Sequence, residues 1–215
     1  LSVFYDSSDP NKFIKDVKKI LSKDGIFLLE FADLASILKN KMFDTICHEH
    51  LEYYSSKVIF DLCKKNNLRV FDIKENSING ASKQYYICHT FSKYKDNKKI
   101  INLALNSEKK LKLNDEKTYI NFIKEINKSK VKLFNFLKKM NRRGKIIHGY
   151  GASTKGNVLL QYFNINNQLI NYIAERNQTK YNLYTPGTNI KIISEVLSRF
   201  YKPDYYLVLP WHFKN

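Results

Sequence analysis

Apolar positions along the 215-residue chain fall into blocks of two different periods. Phe13, Ile14, Val17, Ile20 and Leu21 recur at helical spacing behind the entry signal Asp9-Pro10, and Lys23-Asp24-Gly25 stops the pattern, so a helix is expected between them. The run GIFLLEF (25–31) is apolar on both faces, which fits a strand in the middle of a helix-covered sheet better than an exposed hairpin. A polar loop around 39–43 leads into DTICHEHLEYYSS, after which Ser55 or Ser56 can cap a helix over KVIFDLCKKNNL. RVFDIKEN and SKQYYICHTF read as strands on either side of a turn at Asn79-Gly80.

The second half repeats a simpler alternation. A long helix is expected from Asp115 to about Arg143, with Tyr119, Phe122, Ile126, Leu133, Leu137 and Met140 on one side, and Gly144 ends it. KIIHGYG, STKGNVLLQYF, LINYIAERN, ISEVLSRF and PDYYLVLPW then alternate as strand, helix, strand, helix, strand, the pattern of a parallel doubly wound sheet. The fold class expected is therefore α/β. The polar pieces SKYKDNKK and NSEKKLKLND place a boundary between about Thr90 and Asp115.

Composition narrows the picture without redrawing it. A hydrophobic fraction of 43% suits a globular chain. No run reaches the roughly 18 apolar residues of a membrane span, and the N-terminus lacks the layout of a signal peptide, so a cytoplasmic protein with no membrane partner is expected. The chain starts with Leu in mid-pattern, which reads as a fragment. Cys47, Cys63 and Cys88 form no CxxC pair, so reduced thiols are expected in place of a disulfide framework or zinc knuckle. Lys and Arg outnumber Asp and Glu by 37 to 20, a net +17 that would suit an anionic partner. The lysines are scattered, however, and no nucleic-acid partner is expected. Nothing in the sequence indicates an oligomeric state.

Two stretches carry candidate chemistry. HGYGASTKGN (148–157) joins a strand to a helix, where unpaired backbone N–H groups and the helix dipole favour phosphate oxygens. Gly149, Gly151 and Gly156 give GxGxxxxG, not the dinucleotide GxGxxG, and the GK[ST] ending of a P-loop is absent. Ser153, Thr154 and Lys155 add hydroxyls and a cation beside Asn157, and Glu175 ends the next strand where such folds often meet a ribose. These glycines equally suit a tight turn with no ligand. In FDTICHEHLEYYS, His48, Glu49 and His50 sit near Asp44, Glu52, Tyr53 and Tyr54. A histidine there can remove a proton next to a carbonyl, two histidines at i and i+2 can bind a metal, or the segment can be a plain surface loop.

Four blocks, FDTICHEHLEYYS, GYGASTKGNVLLQYF, IAERNQTKYNLYTPGTNIKI and KPDYYLVLPWHF, in this order resemble the C-terminal part of the S-adenosylmethionine-dependent C-methyltransferases that act on C3 of nucleotide-linked 4-keto-deoxysugars. The resemblance implies the tail of a class I methyltransferase domain over residues 1–90, a connecting segment 91–114 and a Rossmann-like nucleotide-sugar-binding domain over 115–215. It implies His50 and Glu49 as the catalytic pair, His50 the base and Glu49 its neighbouring substrate-contacting acid, and His48 and Tyr53 are expected against the substrate. Gly149, Gly151, Ser153, Thr154, Lys155, Asn157 and Glu175 are then expected to face the nucleotide sugar, with no metal site. Cys47 stands where the family usually has Tyr, and Asn189 where His is common. The family's zinc-binding cysteines and glycine-rich methyl-donor loop have no counterpart in these residues, so the chain alone is expected to bind S-adenosylmethionine poorly and to be inactive by itself. The alternative reading is a stand-alone nucleotide-sugar or dinucleotide-binding module without catalysis.

Overall fold

The computed structural model describes residues 3–213; residues 1, 2, 214 and 215, the outer ends of the two expected domains, lie outside it. The chain forms two compact units, Leu1–Met42 with His48–Asn121, and Phe43–Cys47 with Phe122–Asn215.

The first unit begins with α1 (Pro10–Ile20), whose N-cap Asp9 accepts the Lys12 backbone N–H at 2.8 Å. Next come β1 (Phe27–Phe31), α2 (Leu34–Lys39) capped by Asp33, and α3 (Ser56–Lys65) capped by Ser55. β2 (Leu68–Asn76) and β3 (Ser82–His89) are the expected hairpin, and its turn places Asn79 and Gly80 at positive φ, as that dipeptide allows. The sheet is antiparallel in the order β1-β3-β2. Among the described strands β1 pairs with β3 alone, so GIFLLEF sits at an edge of this sheet and not in its middle. Its apolar run reports two covered faces, which says nothing about how many neighbours a strand has. Segment 91–114, expected as a connector, carries α4 (Lys98–Leu111), which buries Ala104 against the first unit's core of Phe4, Ile14, Phe31, Tyr85 and Ile87.

The long helix α5 (Glu116–Arg142) belongs to the second unit from Phe122 onward. It lays Ile126, Leu137 and Met140 on a core with Ile147, Leu160 and Ile173. β4 (Ile147–Tyr150), α6 (Thr154–Phe163), β5 (Tyr172–Glu175), β6 (Lys191–Ser194), α7 (Glu195–Phe200) and β7 (Tyr205–Val208) follow. All four strands are parallel, in the order β6-β5-β4-β7. The chain winds outward from β4 through β5 to β6 and then returns to the far side of β4, so the winding reverses between β4 and β7. Open parallel sheets bind ligands at the carboxyl ends of strands where winding reverses. β6 was not expected: KIIS is only four residues and runs straight into the helix ISEVLSRF, leaving no turn signal between them.

Candidate functional site

In the second unit the carboxyl end of β4 leads through Gly151, Ala152 and Ser153 into α6. Gly151 has φ +82°, and a Cβ there would lie 2.7 Å from Pro210. A Cβ on Gly156 would lie 2.8 Å from Leu209 Cβ, and one on Gly149 3.0 Å from Ile173. Two of the three glycines therefore let α6 and β4 approach the end of β7 closely. Ser153 caps α6, its Oγ accepting the Gly156 N–H at 3.0 Å, which leaves its hydroxyl proton to donate elsewhere.

Glu175 braces this loop. It accepts the backbone N–H of Ala152 at 2.7 Å, of Arg176 at 2.8 Å and of Asn177 at 2.9 Å. Burial alone would raise its pKa, but these three donors and the Lys180 charge outweigh burial and hold it low. Lys180 in turn donates to the Ala152 carbonyl at 2.7 Å. The Ala152 N–H is thus committed within the protein, while Thr154 is exposed on the first turn of the helix. Asn157, one turn further on, is half-buried and donates its backbone N–H to the Ser153 carbonyl at 3.0 Å.

Lys155 is half-buried within a charged cluster that sequence reasoning did not assemble. Burial pushes its pKa down, while Asp44 and Cys47 push it up. Burial and the Lys155 charge both lower the pKa of His212, with Asp44 opposing them. Asp44 is 2% exposed and accepts the Trp211 indole N–H at 2.6 Å. Asp44 and Trp211 stand 167 positions apart, and only the fold brings them together.

In the first unit the HEH loop is held from behind: the N–H groups of Leu51 and Glu52 both donate to the Tyr5 carbonyl, at 3.0 and 3.2 Å. His48 and Glu49 are exposed, whereas His50 is half-buried with its ring centroid 4.2 Å from that of Tyr5. The half-buried Tyr53 ring lies 6.4 Å from it. The Nδ1 atom of His50 is buried without a hydrogen-bond partner. Beyond the loop Tyr54 packs on Phe4, and burial followed by the Glu52 charge raises its pKa to about 12.

The same unit contains a dry polar network. Lys83 Nζ meets Asp33 Oδ2 at 2.7 Å and Ser56 Oγ at 3.3 Å, and Ser56 Oγ lies 3.0 Å from the Tyr85 hydroxyl. Glu108 of α4 accepts the N–H groups of Ser56 and Lys57 at the start of α3. Burial, then Asp33, holds the Tyr85 pKa well above its ordinary value. The one sequence signal was Lys83, a charge in an otherwise apolar alternation on β3. Among the described residues no group of three or more His, Cys, Asp or Glu side chains has the placement of a metal site, and no helix is long and apolar enough to cross a membrane.

Residues 77–215 match the family model for the C-methyltransferase C-terminal domain. Over 205 residues, 95% of this chain, the sequence is 29% identical to the C-methyltransferase NovU of Streptomyces niveus, and the match covers 49% of that protein. The chain thus spans about half the length of this curated relative. With the α/β architecture and parallel sheet described above, the match over 77–215 establishes that the chain belongs to the C-methyltransferase C-terminal domain family.

Proposed function

We propose that this chain is part of an S-adenosylmethionine-dependent C-methyltransferase acting on a nucleotide-linked 4-keto-deoxysugar, with His50 removing the proton next to the ketone. The observation that carries the assignment is the selective burial of His50. Of the three residues in the HEH motif it alone is drawn in against an aromatic ring, with one imidazole nitrogen unpartnered, while His48 and Glu49 face solvent. A general base needs a held ring and a nitrogen that can reach the substrate; the Tyr5 contact supplies the holding, and with Nδ1 buried the role falls to Nε2. The sugar's C4 ketone acidifies the C3 proton, and its removal by His50 leaves an enolate. Such proton transfer contributes about 10²- to 10⁴-fold to rate.

In the second unit, Ser153, Thr154 and Lys155 are assigned to the pyrophosphate at the carboxyl ends of the strands, with Glu175 shaping the loop from behind. The described residues of the first unit offer no cradle for the methyl donor: Gly25 and Gly80 precede β1 and β3, and neither opens a helix. The step these residues carry is the proton transfer. Calorimetric titration with a thymidine diphosphate sugar tests the binding half. Saturable binding that weakens in Lys155→Ala is expected, and equal affinity in both proteins removes Lys155 from the site.

A further inference from the structure

A neutral imidazole carries one N–H and offers its other nitrogen as acceptor, so a histidine that takes a proton on Nε2 already holds one on Nδ1. In most histidine sites that second N–H is given to a carboxylate or a backbone carbonyl, which fixes the tautomer and steadies the charge that forms. His50 has no such acceptor: its Nδ1 is buried and meets no hydrogen-bond partner. The neighbouring carboxylates do not fill the place, because Glu49 and Glu52 are both exposed. A buried N–H left with nothing to meet is costly.

The group beside His50 is the ring of Tyr5, which belongs to the same unit. The two ring centroids lie 4.2 Å apart with planes at 51°. That is well inside the roughly 6 Å at which a cation is drawn to an aromatic face, and such a face also accepts an N–H weakly. The Tyr53 ring, at 6.4 Å, lies beyond that reach. Tyr5 is itself fixed. Its turn, Phe4–Asp6, is closed by the Asp6 N–H on the Val3 carbonyl at 3.1 Å, and the adjoining Phe4 is buried against Phe13, Phe31 and Tyr54. One residue thus presents a ring to the imidazole and, through its carbonyl, holds the two amides that follow His50.

We propose that Tyr5 is the positioning residue of His50, its ring receiving the Nδ1–H and facing the imidazolium that forms when Nε2 takes the substrate's C3 proton. This role rests on the base assignment above. The proton goes to Nε2, the electron pair of the broken C–H bond passes into the enolate, and the positive charge left on the imidazole lies against the negative face of the Tyr5 ring. The aromatic face does here what a carboxylate does behind other histidine bases. For a half-buried pair the contact corresponds to about 5- to 30-fold in rate.

Two variants separate the ring from the rest of Tyr5. Tyr5→Phe keeps the aromatic face, Tyr5→Leu removes it, and both keep the backbone carbonyl that ties Leu51 and Glu52. The first readout needs no activity: long-range proton–nitrogen NMR of the neutral imidazole reports which nitrogen of His50 carries the proton. The Nδ1–H form is expected in wild type and in Tyr5→Phe, and a mixture of both forms in Tyr5→Leu, with Tyr5→Met serving if Tyr5→Leu does not fold. Wild type with the proton on Nε2, or an unmixed Nδ1–H form in Tyr5→Leu, overturns the contact whether or not the protein is a methyltransferase. In the full-length enzyme, Tyr5→Leu is expected to lower kcat about 5- to 30-fold with KM for the nucleotide sugar within about twofold, and Tyr5→Phe to stay near wild type. A kcat unchanged in Tyr5→Leu, or lowered equally in Tyr5→Phe, overturns the charge-steadying role. Full turnover in His50→Ala instead overturns the base assignment, and the tautomer measurement still decides the contact.

Discussion

The glycines of the second unit allow backbone strain and steric clash to be measured separately. Gly144 has φ +71° and nothing within 4 Å of a built Cβ; Gly156 lies in α6 with Leu209 Cβ 2.8 Å from such an atom; Gly151 combines φ +82° with Pro210 at 2.7 Å. Gly144→Ala should cost only the left-handed penalty, about 1–2 kcal/mol. Gly156→Ala should cost about 1–3 kcal/mol for overpacking, less about 0.5–1 kcal/mol regained because Ala favours a helix. Gly151→Ala should carry both penalties, about 2–5 kcal/mol, since a proline ring cannot swing aside as a flexible side chain can. The single tryptophan, Trp211, lies in the second unit, so its fluorescence during urea unfolding reports that unit. If Gly151→Ala proves no costlier than Gly144→Ala, Pro210 yields freely and the close approach of β4 to the end of β7 does not constrain this loop.

Three further outcomes follow from buried polar groups and the loop brace. Asp33→Ala should destabilise the first unit by about 3–5 kcal/mol, because Lys83 loses its buried ion-pair partner and α2 its cap, whereas replacing both partners with apolar residues should recover the ion-pair part but not the roughly 1 kcal/mol of the cap; urea midpoints of the two variants decide it. His148 is fully buried on β4, with Nδ1 2.8 Å from Ser198 Oγ, and burial lowers its pKa. Unfolding raises that pKa, so stability is fully present above about pH 6.5 and is lost as pH falls below it; His148→Phe should flatten this slope in unfolding measured across pH. Glu175→Gln replaces a carboxylate holding three backbone donors, and should raise hydrogen exchange at Ala152 and Asn177 by roughly tenfold or more.

How much could be read beforehand differs between the two units. The long helix and the β4–α6–β5 run were legible because their periods are clean. The hairpin at Asn79-Gly80 was legible for the same reason. Helix α4 was hidden because lysines crowd its solvent face and the pattern reads as polar linker, although Ala104 and Ile100 point to the core. The glycine turn and the HEH motif were visible as motifs, yet their supports were not. Asp44 and Trp211, or Tyr5 and the Leu51 and Glu52 amides, meet only through tertiary structure, and a lone Asp or Trp carries no spacing signal. Glu175 illustrates the limit: its place after β5 was legible, but its commitment to three backbone donors was not.

The most direct test of the central claim needs no methyl donor. The full-length protein is incubated in deuterium oxide with a nucleotide-linked 4-keto-deoxysugar, and loss of the C3 proton is followed by NMR, comparing wild type with His50→Ala. Exchange catalysed by the wild type and slowed about 100-fold or more by the substitution, with sugar binding retained, is the predicted result. Exchange at the wild-type rate in His50→Ala would contradict the assignment of His50 as the base.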